Sequence, residues 1–249
     1  MSQSSITNLK SQIQSLRDFY AFEQHVKTCR SHRGLPMVPQ WYEVPVFYFS
    51  NPVAIVGDGD PVWAPHGSAA LDYELELACV IGTAARDLRA DDTAMACVAG
   101  FTVMNDWSAR DIQRAEMAIG LGPSKSKDFA TSLGPAVVPF AALTDVYRDG
   151  RLHLDMTARV NGREYSRGDA GSMYWTWPQL LAHASRDTEL RPGDVLGSGT
   201  VGTGCILELT PEAVGGWLQP GDVVELTIER IGTLRNPIGE SPRTAVRGS

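Results

Sequence analysis

Basic character is scarce in this sequence of 249 residues: 22 Lys and Arg stand against 29 Asp and Glu, a formal charge of −7. No Lys/Arg run forms a face able to neutralise phosphates, which excludes a general nucleic-acid binder. An anionic substrate must then be met by a few local cations or by a metal. Cysteine is equally sparse. Cys29, Cys79, Cys97 and Cys205 lie far apart and none forms a CxxC pair, so zinc-ribbon and dithiol redox motifs fail on spacing. The N-terminus lacks a basic region followed by an apolar one, and no apolar stretch is long enough to span a bilayer. These absences set the expectation of a cytoplasmic protein with free buried thiols and neither membrane nor nucleic-acid partners.

Helical signals are also few and do not alternate with strands, which disfavours a doubly wound sheet and predicts a strand-dominated α+β fold. Hydrophobic residues make up 43% of the chain, enough for one large core. No linker divides it. The reading is a flexible N-terminal tail over 1–17, one domain over 18–239 and a flexible C-terminal tail over 240–249. Within the domain, Asp18 to Arg30 reads as a short helix that Gly34-Leu35-Pro36 breaks, so 18–40 forms a helix and lid segment. Strand-like runs follow at Val44 to Phe49 and Val53 to Gly57. Leu71 to Ile81 alternates polar and apolar residues and then turns continuously apolar, as a strand entering a core does. Asp91 to Val98 is predicted as an amphipathic helix that Gly100 stops, followed by a buried strand at Phe101 to Met104. Two Pro-Gly-Asp turns, at 192–194 and 220–222, each precede a strand.

Glu74 and Glu76 are two apart on the predicted strand, so both leave one face while Tyr73, Leu75 and Leu77 leave the other. Alone, such a pair reads as the wet side of an edge strand. The apolar run that follows, Ala78-Cys79-Val80-Ile81, instead suits burial, where charges need a partner. Asp106 ends an apolar strand and alone reads as an N-cap for the helix expected from Trp107 onward. If Asp106 converges on Glu74 and Glu76, mutual repulsion raises their pKa values unless a cation sits between them, and an all-oxygen set selects a hard ion.

Glu74-Leu75-Glu76, then Met104 to Gln113, Lys127-Asp128-Phe129 and Gly197 to Leu209 resemble, in order, the motifs of the fumarylacetoacetate hydrolase family. The resemblance spans roughly Asp18 to Ile238. It implies a mixed β-sheet roll, usually a homodimer, with Glu74, Glu76 and Asp106 holding one divalent cation, Mg²⁺ or Mn²⁺ first and Ca²⁺ as a further possibility. The segment Asp18-Phe19-Tyr20-Ala21-Phe22-Glu23-Gln24-His25 is similar to the family stretch in which the Asp is a fourth metal ligand and the His a base. Glu208 matches the acid that orients that histidine. Only about 17 residues precede Asp18, a short start beside family enzymes that carry a separate N-terminal module.

The implied reaction is water attack on a 1,3-dicarbonyl acid such as an acylpyruvate, expelling an enolate whose charge the cation stabilises. His25 would activate the water, held by Glu208, and Lys127 would donate to the developing oxyanion. Tyr20, Tyr48 and Thr200 match positions that line the substrate pocket. Arg110 and Gln113, three apart on the presumed helix, share a face that could grip a carboxylate or carbonyl. Arg30 and Arg33 both lie near the distance expected of a further substrate-binding arginine. Read without the family, each residue has a plainer role: His25 as a packing residue, Arg110 paired with Asp111 or Glu116, Lys127 in a solvated loop. Tyr20 and Tyr48 could then be core aromatics. Glu208, expected in an apolar strand, is hardest to dismiss, because a buried carboxylate needs a partner. Decarboxylation, hydration or keto–enol isomerisation of a 2-keto acid would pass through the same kind of enolate.

Overall fold

The alternation at Leu71 to Ile81 becomes two strand segments, Leu71–Asp72 and Leu75–Ile81, in a computed structural model that describes residues 13–242. Leu75–Ile81 is buried along its whole length and lies inside a sheet, not at its edge. On one side it pairs antiparallel with Val98–Asp106, and on the other with Val195–Gly197. The sheet has eight strands. Seven of them run in the order Phe47–Ser50, Leu16–Phe19, Val195–Gly197, Leu75–Ile81, Val98–Asp106, Thr131–Leu133, Ile55–Val56, and Val138–Pro139 also pairs with Val98–Asp106. Leu16–Phe19 is parallel to Val195–Gly197, and Ile55–Val56 to Thr131–Leu133, so the sheet is mixed. A four-stranded antiparallel sheet of Arg163–Asp169, Asp155–Val160, Val223–Ile228 and Gly232–Pro237 completes the strand-rich α+β fold.

The strand period of two divides the central sheet into two faces of different chemistry. Tyr73, Leu75, Leu77, Cys79 and Ile81 enter the main core, with Phe101, Val103, Trp107 and Trp177. On the opposite face Ala78, Val80, Leu16, Met104, Leu133 and Val195 form a second apolar cluster. The alternate positions beyond its aliphatic end are Glu74, Glu76, Asp18 and Asp106. Acids and aliphatics therefore share one face, segregated end from end.

Several local expectations change. Asp18 lies on a strand rather than in a helix; the helix that follows is Glu23–Ser31. That first strand starts at Leu16, with Ile13 and Leu16 buried, so the tail expected over 1–17 gives way to ordered chain from residue 13. Its earlier part, and residues 243–249 of the expected C-terminal tail, lie outside the described residues. The segment after Asp91 is a 3-10 helix, Asp92–Cys97, capped by the Asp91 side chain on the Thr93 N–H. Gly100 does not stop it; the strand Val98–Asp106 begins at once, and the Val138–Pro139 strand crosses so close to Gly100 that a Cβ there would lie 2.1 Å from the Val138 carbonyl oxygen. Both Pro-Gly-Asp turns do lead into strands, with Asp194 and Asp222 each accepting from the backbone N–H three residues earlier. Helix Trp177–Ser185 starts with a capping box between Thr176 and Gln179. Among the described residues no helix is long and apolar enough to cross a membrane.

Candidate functional site

Asp18, Glu74, Glu76 and Asp106 meet at the polar end of that second face, where one carboxylate oxygen from each lies within 4.8 Å of the others. Three strands of the central sheet, Leu16–Phe19, Leu75–Ile81 and Val98–Asp106, carry Asp18, Glu76 and Asp106, and Glu74 directly precedes the second of them. Asp18 sits opposite Gly197 in the parallel pairing, and a Cβ at Gly197 would fall 2.4 Å from Asp18 Oδ1, so only glycine leaves room for that carboxylate. Glu74 is anchored by its backbone N–H, which donates to Asn105 Oδ1 at 2.9 Å. Asp106 does not cap a helix, because the strand carries it and the helix Arg110–Ile119 starts four residues later.

All four carboxylates are buried, and Asp18 Oδ1, Glu76 Oε2 and Asp106 Oδ1 have no hydrogen-bond partner among the described residues. Burial, the largest influence on each, raises the pKa of Asp18, Glu76 and Asp106, and the neighbouring carboxylates push Glu76 further. Glu74 goes the other way: burial opposes it, but Lys127 and Arg110 hold it well below the usual carboxylate range. A hard divalent cation fits this donor set, since it supplies the missing charge and a partner for each orphaned oxygen.

Cations and donors surround the cluster. Lys127 Nζ is buried and donates to both Glu74 and Asp106. It is not part of a solvated loop. Tyr48 donates its hydroxyl to Asp106, and to Asp18 Oδ2 at 3.0 Å. Burial first, then Asp106 and Asp18, keeps that phenol protonated. Thr200 Oγ1 donates to Glu76 Oε1 at 3.3 Å. Arg110 pairs with neither Asp111 nor Glu116. Its Nε meets Asp72 Oδ2 and its Nη2 meets Glu74 Oε1, both at 2.8 Å, while Nη1 donates to Gln113 Oε1 at 3.0 Å. Arg110 and Gln113 do share a face, but the guanidinium braces Glu74 from behind.

Asp72 was not among the candidate residues, although extending the alternation back from Glu74 and Glu76 reaches it. It is fully buried and also accepts from the Ile206 and Leu207 N–H groups at 2.8 and 3.0 Å. One carboxylate thereby ties Arg110 to the short helix Ile206–Leu209. Asp72→Asn is expected to leave the Arg110 charge undercompensated and cost about 3–5 kcal/mol of stability. A lower urea midpoint with an unchanged slope would record it.

That short helix carries Glu208, which the sequence had suggested for a strand. Glu208 Oε1 lies 2.6 Å from His25 Nδ1, and its Oε2 accepts from the Thr203 N–H at 3.0 Å. His25 projects from helix Glu23–Ser31 and is buried, with the Tyr20 ring edge-on at 5.5 Å between centroids. Burial alone would lower the imidazole pKa, yet hydrogen bonding to Cys205 and Glu208 raises it to about 10. Cys29 and Cys205, also buried, adjoin the imidazole. Of the two arginines at the end of helix Glu23–Ser31 and just after it, Arg30 donates to the Pro36 carbonyl. Arg33 donates to the Cys29 carbonyl at 3.1 Å, and its charge reaches Tyr20.

Residues 14–239 match the family model described as fumarylacetoacetate (FAA) hydrolase C-terminal. The chain is 35% identical over 201 residues to an oxaloacetate tautomerase of Bacillus subtilis, an alignment covering 79% of this chain and 62% of that protein. It is 32% identical over 267 residues to a fumarylacetoacetase of Arabidopsis thaliana, covering 83% of this chain and 63% of that one. The chain thus spans about three-fifths of the length of these relatives. In fold it is similar to a fumarylpyruvate hydrolase of Pseudomonas aeruginosa solved with Mn²⁺ and pyruvate, with a TM-score of 0.75 at 22% identity over 92% of this chain and 91% of that one. A match across nearly all the described residues, on a strand-rich fold shared with that hydrolase, establishes that the chain belongs to the fumarylacetoacetate hydrolase family.

Proposed function

We propose that this protein is a divalent-cation-dependent hydrolase that cleaves a carbon–carbon bond in a 1,3-dicarbonyl acid of the acylpyruvate or fumarylacetoacetate type. The observation that carries this reading is the buried His25–Glu208 pair, 2.6 Å apart, in the same chain as a four-carboxylate cluster with orphaned oxygens. Asp18, Glu74, Glu76 and Asp106 would hold Mg²⁺ or Mn²⁺, with Ca²⁺ as a third fit to an all-oxygen set. When bound, the cation supplies electrophilic stabilisation of the charge that grows on substrate oxygen.

The chain's own residues do the rest. Glu208 fixes the imidazole with Nδ1 toward itself, leaving Nε2 to take a proton from water. Lys127, freed from part of its ion pairing when a cation shares Glu74 and Asp106, would donate to the enolate oxygen. Tyr20, Tyr48 and Thr200 would line the substrate position, and Arg110 with Gln113 would keep Glu74 oriented toward it. Substrate would be a small keto acid, handled without nucleic-acid or membrane partners, and the working form would be a cytoplasmic homodimer.

A second reading has its own support in the similarity to oxaloacetate tautomerases, at 35% and 34% identity for the Bacillus subtilis and human proteins. Tautomerisation, decarboxylation or hydration of a 2-keto acid would use the same carboxylates without splitting a chain. A product-resolved screen separates them: cation-stripped protein, restored with Mg²⁺ or Mn²⁺, is offered 1,3-dicarbonyl acids and oxaloacetate. Two acid products from one substrate support cleavage. Loss of the enol absorbance with no second acid supports tautomerisation, and release of CO₂ supports decarboxylation.

A further inference from the structure

The ligand atoms of the four carboxylates are all oxygens, but His25 belongs to a second cluster of opposite character. One ring nitrogen of His25 and the sulfurs of Cys29 and Cys205 lie within 4.8 Å of one another, and all three residues are buried. Cys29 Sγ is 3.8 Å from His25 Nδ1 and from Nε2, and Cys205 Sγ is 3.8 Å from Glu208 Oε1. A tetrahedral zinc site with Zn–S near 2.3 Å and Zn–N near 2.0 Å separates its ligand atoms by roughly 3.5–3.8 Å. A small turn of the ring and two thiol rotations would bring these atoms to that spacing.

The geometry points to a soft-metal site, distinct from the carboxylate cluster, in which His25, Cys29 and Cys205 bind Zn²⁺ and thereby withdraw His25 from catalysis. Softness and geometry sort the two sites. Thiolates and imidazole select zinc and its like, whereas an all-carboxylate set suits Mg²⁺ and Mn²⁺. Glu208 at Nδ1 leaves Nε2 as the ligating nitrogen and acts as the carboxylate behind it, an arrangement that strengthens a histidine ligand. Two thiols lose their protons to solvent as the metal enters, so the two thiolates cancel its charge. Three protein ligands leave the fourth position to water. The binding claim stands on geometry alone; the inhibitory claim also rests on the reading of His25 as base.

Cobalt is the probe, because thiolate ligation gives an intense charge-transfer band in the near ultraviolet that carboxylates do not. The full chain, kept under reductant and saturated with Mg²⁺, is titrated with Co²⁺. One equivalent is expected to produce the band, Cys29→Ser and Cys205→Ser to abolish it, and Glu76→Gln, which damages the oxygen site, to retain it. No band in the parent protein, or a band that survives both cysteine substitutions, overturns the proposal. In parallel, Zn²⁺ is added to the Mg²⁺-loaded enzyme during turnover. Cys29→Ser should keep basal turnover and raise the zinc concentration needed for inhibition by at least roughly tenfold. A cobalt band without any loss of turnover on zinc addition would leave the site standing and overturn His25 as the base.

Discussion

Replacing Glu76 by glutamine is expected to abolish stabilisation by Mg²⁺ or Mn²⁺ while leaving the cation-free protein at least as stable as the parent. Glu76 is buried beside Asp18, Asp106 and Glu74, and these influences raise its pKa well above that of an ordinary glutamate. Without a cation it is, with Asp106, a member of the cluster poorly able to be an anion, and glutamine mimics its neutral form. The hydrogen bond from Thr200 to Glu76 Oε1 can persist. With a cation the balance reverses, since the substitution deletes a charged ligand. At a hundredfold excess over the dissociation constant, binding adds about 2.7 kcal/mol to the parent's stability. Thermal unfolding with and without added cation should show a shift in the parent and none in the variant. An equal shift in both would remove Glu76 from the ligand set. Entry of the cation must also expel protons from carboxyls whose pKa values are raised, so affinity should climb with pH, and calorimetry in two buffers should register the released protons.

His25→Ala is the second large effect, with cleavage expected to fall by about 10²–10⁴-fold while cation binding is kept. Full activity in that variant would sink the assignment. A base must be neutral to accept a proton, and the imidazole pKa near 10 keeps His25 charged at neutral pH. A cation in the carboxylate cluster supplies positive charge nearby and so shifts the imidazole downward, toward the range in which it can work. The sign in stability terms follows from linkage. His25 contributes stability that is complete below its unfolded-state pKa of about 6.5 and is lost as pH rises through about 10. The cation-free protein should therefore weaken over that interval, and His25→Gln should flatten the slope. The imidazole Cε1–H resonance, followed by NMR against pH with and without Mg²⁺, measures the shift directly.

Much of this site was legible because carboxylates are conspicuous in a strand. The two-residue period put Glu74 and Glu76 on one side, and the apolar residues that follow argued for burial. What the sequence did not show was context beyond a single strand. Asp106 looked like a helix cap because Trp107 to Gln113 has helical composition. Yet Ser108–Ala109 pairs as a strand with Leu71–Asp72, and tertiary pairing overrode local propensity. Asp18 was drawn into a helix by its aromatic neighbours, but Phe19 ends a strand and Phe22 is the N-cap of the helix that follows. Gly100, read as a stop signal, marks a close crossing of chains instead. The partners of Arg110 were invisible for a simpler reason. Nearness in the sequence suggests Asp111 or Glu116, while Asp72 lies 38 residues away and meets Arg110 only after the sheet has formed.

The parallel pairing of Leu16–Phe19 with Val195–Gly197 brings together segments far apart in the sequence. Asp18 reaches the other three carboxylates across that pairing, and Gly197 makes the space it enters. Closing so long a loop is entropically slow, so the carboxylate cluster is complete only after most of the central sheet exists. A cation bound there has nothing to grip in the folding transition state. It acts on the unfolding limb, as a brake on escape from the native state rather than a nucleus for reaching it, and ties the lifetime of the fold to the occupancy of the site.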